Sequence, residues 1–383
     1  MTVHTSDLSA VTRPVAEARG LPNAHYTDAA TFDREKQALF FRQWAGLGFA
    51  AECPEPGDAK PIRFLGQPLV MVRDNAGTLR VFQNICRHRG MILVEEPGKI
   101  ARAIRCPYHS WCYELDGTLR TTPHVGGPGM SRHDGIRRDE LGLLEVRSHE
   151  WMGVVFVNVD GQAAPFEEVN AGLMARWAEF DHPLHFAPDG QFDLDVATNW
   201  KLAVENYCES YHLPWVHPGL NSYSRLEDHY NIEEPGAFSG QGTMVYRPML
   251  SEDGRRFPEF PDLSEKWAEG AEYVALYPNV LLGVHKDHTF AIVLEPQGAE
   301  RTVEHVAIFY NAPEVMGFDW DVMREQNTRM WKAVFEEDIF VVEGMQRGRH
   351  ASLFDGGKFS PVMDSPTHCF HHWVATQLQA AEV

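Results

Sequence analysis

Between Phe32 and Trp44 the sequence FDREKQALFFRQW places the apolar residues Phe32, Leu39, Phe40 and Trp44 at helical spacing, with charged residues between them. From Ala45 the period changes. Val70 to Phe82 reads as two short strands around an Asn-Ala-Gly turn, and Tyr113 to Leu119 as a hairpin with Asp116-Gly117 at its tip. Trp151 to Val159 reads as one further strand. These signals predict a small, turn-rich β domain over 45–160, about 115 residues. The passages GQAAPFEEV and DHPLHFAPDG that follow are polar and contain proline, as expected of a junction. Beyond it Asn199 to Tyr211 has helical periodicity, Glu272 to Pro296 and Thr302 to Tyr310 carry β-like apolar runs, and Trp320 to Met345 predicts a long helix. Pro235 to Pro261, rich in Gly, Pro and charge, predicts a long loop. The second domain, 1–44 with 161–383, is thus expected to mix α and β, and the whole chain is assigned to the α+β class.

Composition narrows the function. With 44% apolar residues in 383, the chain can bury sizeable cores. A net charge of −20 argues against a general nucleic-acid binder or a polybasic membrane-surface protein. The longest apolar runs, Ala38 to Ala51 and Met152 to Val159, are short or interrupted by Arg42 and Gln43, so no spanning helix is expected. The start, MTVHTSDLSAVTRP, lacks a basic segment followed by an apolar one, and a cytoplasmic location is expected. There are 19 His and only six Cys, at 53, 86, 106, 112, 208 and 369. In such a setting patterned cysteines point to metal or catalysis rather than to disulfides.

Cys86-Arg-His88 and Cys106-Pro-Tyr-His109 form C-x-H-x17-C-x2-H, each pair in a loop between β runs. Two thiolates and two imidazoles suit a tetrahedral structural Zn. They equally suit a [2Fe-2S] cluster with two His replacing two Cys on one iron. Each loop donates one Cys and one His, unlike the zinc-finger order, and that mixed donation suits a cluster whose irons each need one ligand type from each loop. With NICRHRG and CPYHSWCYELDG around it, the pattern closely resembles the Rieske domain of bacterial aromatic-ring-hydroxylating and related oxygenases. Respiratory-type Rieske loops, by the same resemblance, carry an extra disulfide pair; no Cys follows His88 here, which favours a low-potential oxygenase cluster. Cys112 reads as a small buried hydrophobe.

His212 and His217 lie five residues apart. On an ideal helix that separates them by about 140°. Pro214 is expected to break the helix between them and let the second imidazole swing back toward the first. E-N-Y-x-E-x-Y-H-x4-H resembles the mononuclear-iron motif of the same oxygenases, whose third ligand is a carboxylate on a distant helix; the matching residue is Asp338. The resemblance implies a two-His-one-carboxylate iron with positions open to O2. It also implies that Glu209, three residues before His212 and on the same helical face, bridges His109 of a neighbouring subunit to His212 as the electron route. Most members carry Asp there; Glu is associated, by resemblance, with oxygenases of carnitine and related quaternary ammonium compounds. Glu205 is a further candidate acid near the iron.

The resemblance implies a terminal oxygenase using a Rieske [2Fe-2S] cluster, a mononuclear Fe(II) and O2. No G-x-G-x-x-G occurs, so NAD(P)H and flavin are expected only on a separate iron–sulfur reductase. A homotrimer with head-to-tail electron transfer is implied. Trp215, Tyr223 and Tyr230 are candidate walls of an aromatic cage for a betaine, carnitine or methylated proline, with Asp287 and His288 as polar contacts. Hydroxylation of an N-methyl group would then end in N-demethylation. The alternatives are hydroxylation of an aromatic carboxylate or other aromatic ring, with Arg225 or Lys286 as the basic contact, and a Rieske electron carrier without catalysis.

Overall fold

The computed structural model describes residues 8–251 and 254–381; residues 1–7, at the head of the segment expected to lack a leader, lie outside them. The chain divides into two compact units, Leu47–Gln162 and Met1–Gly46 with Ala163–Val383. The elements are antiparallel sheets plus helices, an α+β protein. Among the described residues no helix is long and apolar enough to cross a membrane.

The smaller unit is almost entirely β. Gln67–Arg73 and Leu79–Gln83 pair as the two strands expected on either side of the Asn-Ala-Gly turn. Cys112–Tyr113 and Leu119–Thr121 form the second hairpin. At its tip Gly117 has φ +87°, and a Cβ there would meet the Phe82 ring at 2.7 Å, so both backbone and space require glycine. Trp151 to Val159 proves to be the end of one strand, a turn and a second strand. Glu145–Trp151 and Val154–Asn158 are joined by Met152 and Gly153, both at positive φ, the geometry of a type I′ hairpin. Methionine at the first turn position hides that turn from a sequence reading. Val70, Val72, Phe82, Trp111, Tyr113 and Leu115 are buried together in the core of this unit.

The larger unit is built on a seven-stranded antiparallel sheet. Its order is His185–Val196, Thr302–Tyr310, Thr289–Pro296, Val280–Val284, Ala271–Leu276, Phe238–Thr243, His229–Glu234. Six of the strands run as a meander, and His185–Val196 closes the far edge. Two expectations are corrected here. The junction passage 181–190 is not a linker but feeds this edge strand, whose register shifts between Phe186 and Gln191; Pro188 and Gly190 sit in that irregularity. Pro235 to Pro261 is not all loop, because Phe238–Thr243 is a paired strand.

The chain between the two edge strands, 197–228, crosses from one side of the sheet to the other and carries the His212/His217 motif. Its helix Trp200–Tyr207 starts at Asn199, whose side chain accepts from the Lys201 N–H. It ends at Tyr207, four residues short of expectation. The helix packs against the long helix Asp321–Gly348 and the C-terminal helix Ser365–Ala381, which cover the His185–Val196 edge and the Phe238–Thr243 side of the sheet respectively.

Beneath this layer Lys201 and Glu35 are both 0% exposed, with Nζ 2.6 Å from Oε2, and Glu35 Oε1 lies 3.0 Å from His25 Nδ1. Burial opposes both charges, but the lysine and His25 still hold the Glu35 carboxyl below its ordinary value. Lys201→Met leaves that carboxylate in the core with His25 as its remaining partner. It is expected to lower the unfolding free energy by about 3–5 kcal/mol in urea titration; a loss below about 1 kcal/mol would show that Glu35 finds another partner.

Candidate active site

The Cys and His pairs of the smaller unit occupy two loops with the same backbone pattern. Cys86 O accepts from the Gly90 N–H and Cys106 O from the Ser110 N–H, and each cysteine N–H donates to the carbonyl five residues on, Met91 or Trp111. Gly90 (φ +73°) and Ser110 (φ +57°) reverse each loop in the left-handed region. Each loop therefore buries its thiol and turns its imidazole outward. Cys86 and Cys106 are 2% exposed and, like all six cysteines, outside any disulfide, whereas His88 and His109 are exposed with ring centroids 4.8 Å apart. Tyr113 Oη accepts from the Arg87 N–H at 3.0 Å and lies 3.2 Å from Cys86 Sγ; burial pushes the phenol up, so it stays a donor to the sulfur. Two buried sulfurs with a donor aimed at one, and two imidazoles at the rim, fit a cluster ligated by Cys on one iron and His on the other. Cys112, expected to be buried, is half-exposed and contacts the Ser110 carbonyl.

In the larger unit three donor atoms meet. One ligand atom each from His212, His217 and Asp338 lie within 4.8 Å of one another. Asp338 Oδ1 is 3.0 Å from His217 Nε2 and 3.7 Å from His212 Nε2, and it is buried without a hydrogen-bond partner. The opposite edges of both rings are fixed by carboxylates: Glu209 Oε1 stands 2.8 Å from His212 Nδ1, and Glu337 Oε2 stands 2.7 Å from His217 Nδ1. Each Nδ1 must carry the proton, because a carboxylate only accepts. Both Nε2 atoms then present lone pairs toward an acceptor oxygen. With both rings neutral, two Nε2 lone pairs and a carboxylate oxygen converge and fit a bound cation, and two imidazoles with one carboxylate are the donor set of a non-haem Fe(II) site with open positions.

The local sequence explains the convergence, though not as expected. The helix break falls before His212 rather than at Pro214. Glu209 lies beyond the helix end, and its side chain accepts from the backbone N–H groups of Tyr211 and His212. Pro214 sits in the first turn of the short helix Leu213–Val216, where a missing N–H costs nothing. His212 and His217 bracket this single turn, with ring centroids 5.1 Å apart. On the long helix Trp331, Val334, Phe335 and Asp338 recur on one face and line the same cavity. Burial alone would lower the His217 imidazole, but Asp338 and Glu337 raise it above its ordinary value. Burial, then repulsion by Asp338, pushes Glu304 up to about 8.

The cavity above these donors is walled by Tyr207, Tyr223, Tyr246, Tyr273, Phe290 and Trp331. Ser224, His229, Gln241 and Thr243 form its polar flank. Of the residues expected to contact substrate, Tyr223 lines it and the others do not. Trp215 is 72% exposed. Tyr230 packs on Gly242 and donates to Glu272. Asp287 and His288 are buried behind the wall, contacting Tyr246 and Trp331. Arg225 pairs with Glu227 and Lys286 with Glu259, outside the lining. The basic lining residue is Arg247, whose guanidinium lies 5.0 Å from the Tyr223 ring centroid. Glu205 is taken up by Tyr26, Arg349 and His371 in a buried network. Glu337 and the Trp331 face were legible as neighbours and helical repeats of Asp338; Tyr246 and Arg247 lie in irregular chain with no periodicity to mark them.

These two donor sets define a non-haem iron oxygenase that carries its own Rieske cluster. The chain belongs to the ring-hydroxylating alpha subunit family: residues 184–380 match the model "Ring hydroxylating alpha subunit (catalytic domain)", and residues 43–134 match "Rieske [2Fe-2S] domain". Its cofactors are accordingly a Rieske cluster and a mononuclear iron, with O2 as cosubstrate, and the reading as an electron carrier without catalysis is set aside. The chain is similar to the carnitine monooxygenase oxygenase subunit of Escherichia coli, 29% identical over 350 residues, covering 89% of this chain and 87% of that protein. It is 27% identical over 344 residues to the carnitine monooxygenase oxygenase subunit of Acinetobacter baumannii, covering 88% and 86%. A solved quaternary ammonium Rieske monooxygenase, described in connection with carnitine oxidation by gut microbiota and inter-subunit electron transfer, shares the fold with a TM-score of 0.76 at 23% identity over 96% of this chain and 97% of its own.

Glu337→Ala is expected to free the His217 ring and lower iron affinity about 10–100-fold, read as iron content after dialysis against a chelator, with the visible absorption of the cluster unchanged.

Proposed function

We propose that this chain is the terminal oxygenase of a two-component system and oxidises a zwitterionic quaternary or tertiary ammonium compound, of betaine, carnitine or methylated-proline type, at an N-methyl group. The observation that carries the reading is the cavity itself: aromatic faces of Tyr223, Tyr246, Tyr273 and Trp331 surround space directly above the three converging donors, with Arg247 at the lining. Aromatic faces attract an ammonium group. A guanidinium pairs with a carboxylate. The similarity to carnitine monooxygenase oxygenase subunits supports the same class.

In this reading His212, His217 and Asp338 hold the iron, which when bound supplies O2 activation. The aromatic walls hold the methylated nitrogen over it and keep water away. One oxygen atom enters a C–H bond of the N-methyl group and the other leaves as water, using two electrons and two protons. The hydroxymethyl product breaks its C–N bond, releasing formaldehyde and returning the electron pair to nitrogen. Electrons arrive one at a time from a separate flavin and iron–sulfur reductase through Cys86, His88, Cys106 and His109. The chain assembles as a head-to-tail homotrimer in which Glu209 joins His212 to His109 of the next subunit.

Arg247 also favours a second reading, hydroxylation of an aromatic carboxylate, and one panel separates the two. With a surrogate reductase, betaines are expected to consume O2 and release formaldehyde, while benzoate-type acids are not turned over. Trimethylamine in place of formaldehyde would move oxidation to the chain carbon beside nitrogen; turnover of aromatic acids alone would overturn the ammonium reading. Arg247→Leu is expected to raise KM for carboxylate-bearing cations about tenfold or more and to leave choline, which has no carboxylate, within about twofold. Glu209→Ala is expected to retain iron and cluster, judged by metal analysis and absorption, and to lose nearly all turnover; near-normal turnover would exclude it from the electron route.

A further inference from the structure

The turn joining Val280–Val284 to Thr289–Pro296 is unusual in its burial. Hairpin tips ordinarily meet water because their polar groups need partners. Here His285 is 0% exposed, and Asp287 and His288 are 1% exposed. Three buried polar atoms of this one segment, His285 Nδ1, Asp287 Oδ2 and Thr289 Oγ1, have no hydrogen-bond partner. Burying such groups costs free energy that solvent would otherwise return. Packing alone gives no reason to keep an acid and two imidazoles there.

What these groups touch supplies a reason. Tyr246 Oη donates to Asp287 Oδ1 at 2.9 Å. Trp331 Nε1 donates to His288 Nε2 at 2.7 Å, which fixes the proton of that ring on Nδ1, and Nδ1 then donates to the same Asp287 oxygen at 2.8 Å. The second imidazole, His285, stacks on His288 with centroids 4.4 Å apart; burial, with His288 adjacent, drives it well below its ordinary value, so it is neutral and brings no positive charge. Lys286, in the same turn, is occupied by Glu259. Among the described residues no lysine or arginine pairs with Asp287. Two walls of the cavity therefore send their polar hydrogens backward onto one carboxyl oxygen of Asp287, directly through Tyr246 and by way of His288 through Trp331.

A phenol or indole that donates a strong hydrogen bond gains electron density in its ring, and the negative π face is what attracts an ammonium group. We propose that Asp287 is a specificity-determining positioning residue: from behind the cavity it polarises and orients Tyr246 and Trp331 so that the site prefers a methylated cation over a neutral group of the same shape. The inference rests on the ammonium reading above and adds its cause. Asp287 touches neither substrate nor iron; it acts through the two rings.

The test is equilibrium binding to the metal-loaded protein by calorimetry, with two carboxylates that differ only at the central atom: glycine betaine, with a trimethylammonium head, and 3,3-dimethylbutanoate, with a tert-butyl head. The wild-type chain is expected to bind the cation more tightly. Asp287→Asn is expected to weaken glycine betaine about five- to tenfold and to leave 3,3-dimethylbutanoate within about twofold. Tyr246→Phe, which keeps the ring and removes the hydroxyl, is expected to change the same ratio in the same direction by about threefold. If both variants weaken the two ligands equally, or change neither, the polarising role is overturned while the ammonium reading stands. If the wild-type chain shows no preference for the cation, the ammonium reading fails and takes this inference with it.

Discussion

The larger unit depends on one electrostatic constraint: His212 and His217 must both present an unprotonated Nε2 to the same point as Asp338 Oδ1. Neutral imidazole carries one proton, so each ring has to be told where to keep it. Glu209 and Glu337 do that from opposite sides. Much of the local chain conformation follows from this need. The helix Trp200–Tyr207 stops where Glu209 can reach both a ring nitrogen and two backbone N–H groups, and a single further turn sets the second imidazole beside the first. The long helix supplies Glu337 and Asp338 as consecutive residues, one behind His217 and one in front of it.

The same logic of supporting groups recurs beyond the donors. Three of the cavity rings, Tyr246, Tyr273 and Trp331, send their polar atoms into the protein, where the turn 285–288 meets them. In the smaller unit Tyr113 stands behind Cys86 in a comparable way, accepting from the Arg87 backbone while facing the sulfur. In each case a buried polar residue with no access to the reacting atoms sets the electron density of one that has it.

Much of this was legible in the chain, because metal chemistry restricts residue type and spacing more tightly than packing does. C-x-H-x17-C-x2-H, the His pair at 212 and 217 and an acid on a long helix each left a local signature. Regular strands and helices were legible for a similar reason, through their periods. What failed to register has no period. The edge strand His185–Val196 was masked by the Pro188 and Gly190 irregularity, and the Met152-Gly153 turn by a residue uncommon at its position. Tyr246 and Arg247 reach the cavity from irregular chain, and the aromatic residues singled out nearby in sequence, Trp215 and Tyr230, turn outward or pack elsewhere. Proximity in sequence to the metal motif is an incomplete guide to the cavity wall, because four of its six aromatic residues, Tyr246, Tyr273, Phe290 and Trp331, come from farther along the chain: from irregular chain, the sheet and the long helix.

The order of strands also has a kinetic consequence. Six of the seven form a meander in which each pairs with its sequence neighbour, so their contacts close short loops. The seventh, His185–Val196, joins Thr302–Tyr310 only across roughly a hundred residues. Long closures are slow, and this edge is expected to dock after the meander has formed. The long helix that bears Asp338 packs on that edge strand, and the His212/His217 segment begins where the strand ends. During refolding, a chain with its hairpins already paired has yet to bring His212, His217 and Asp338 together, and their convergence is expected to mark the final closure of the sheet rather than its nucleation.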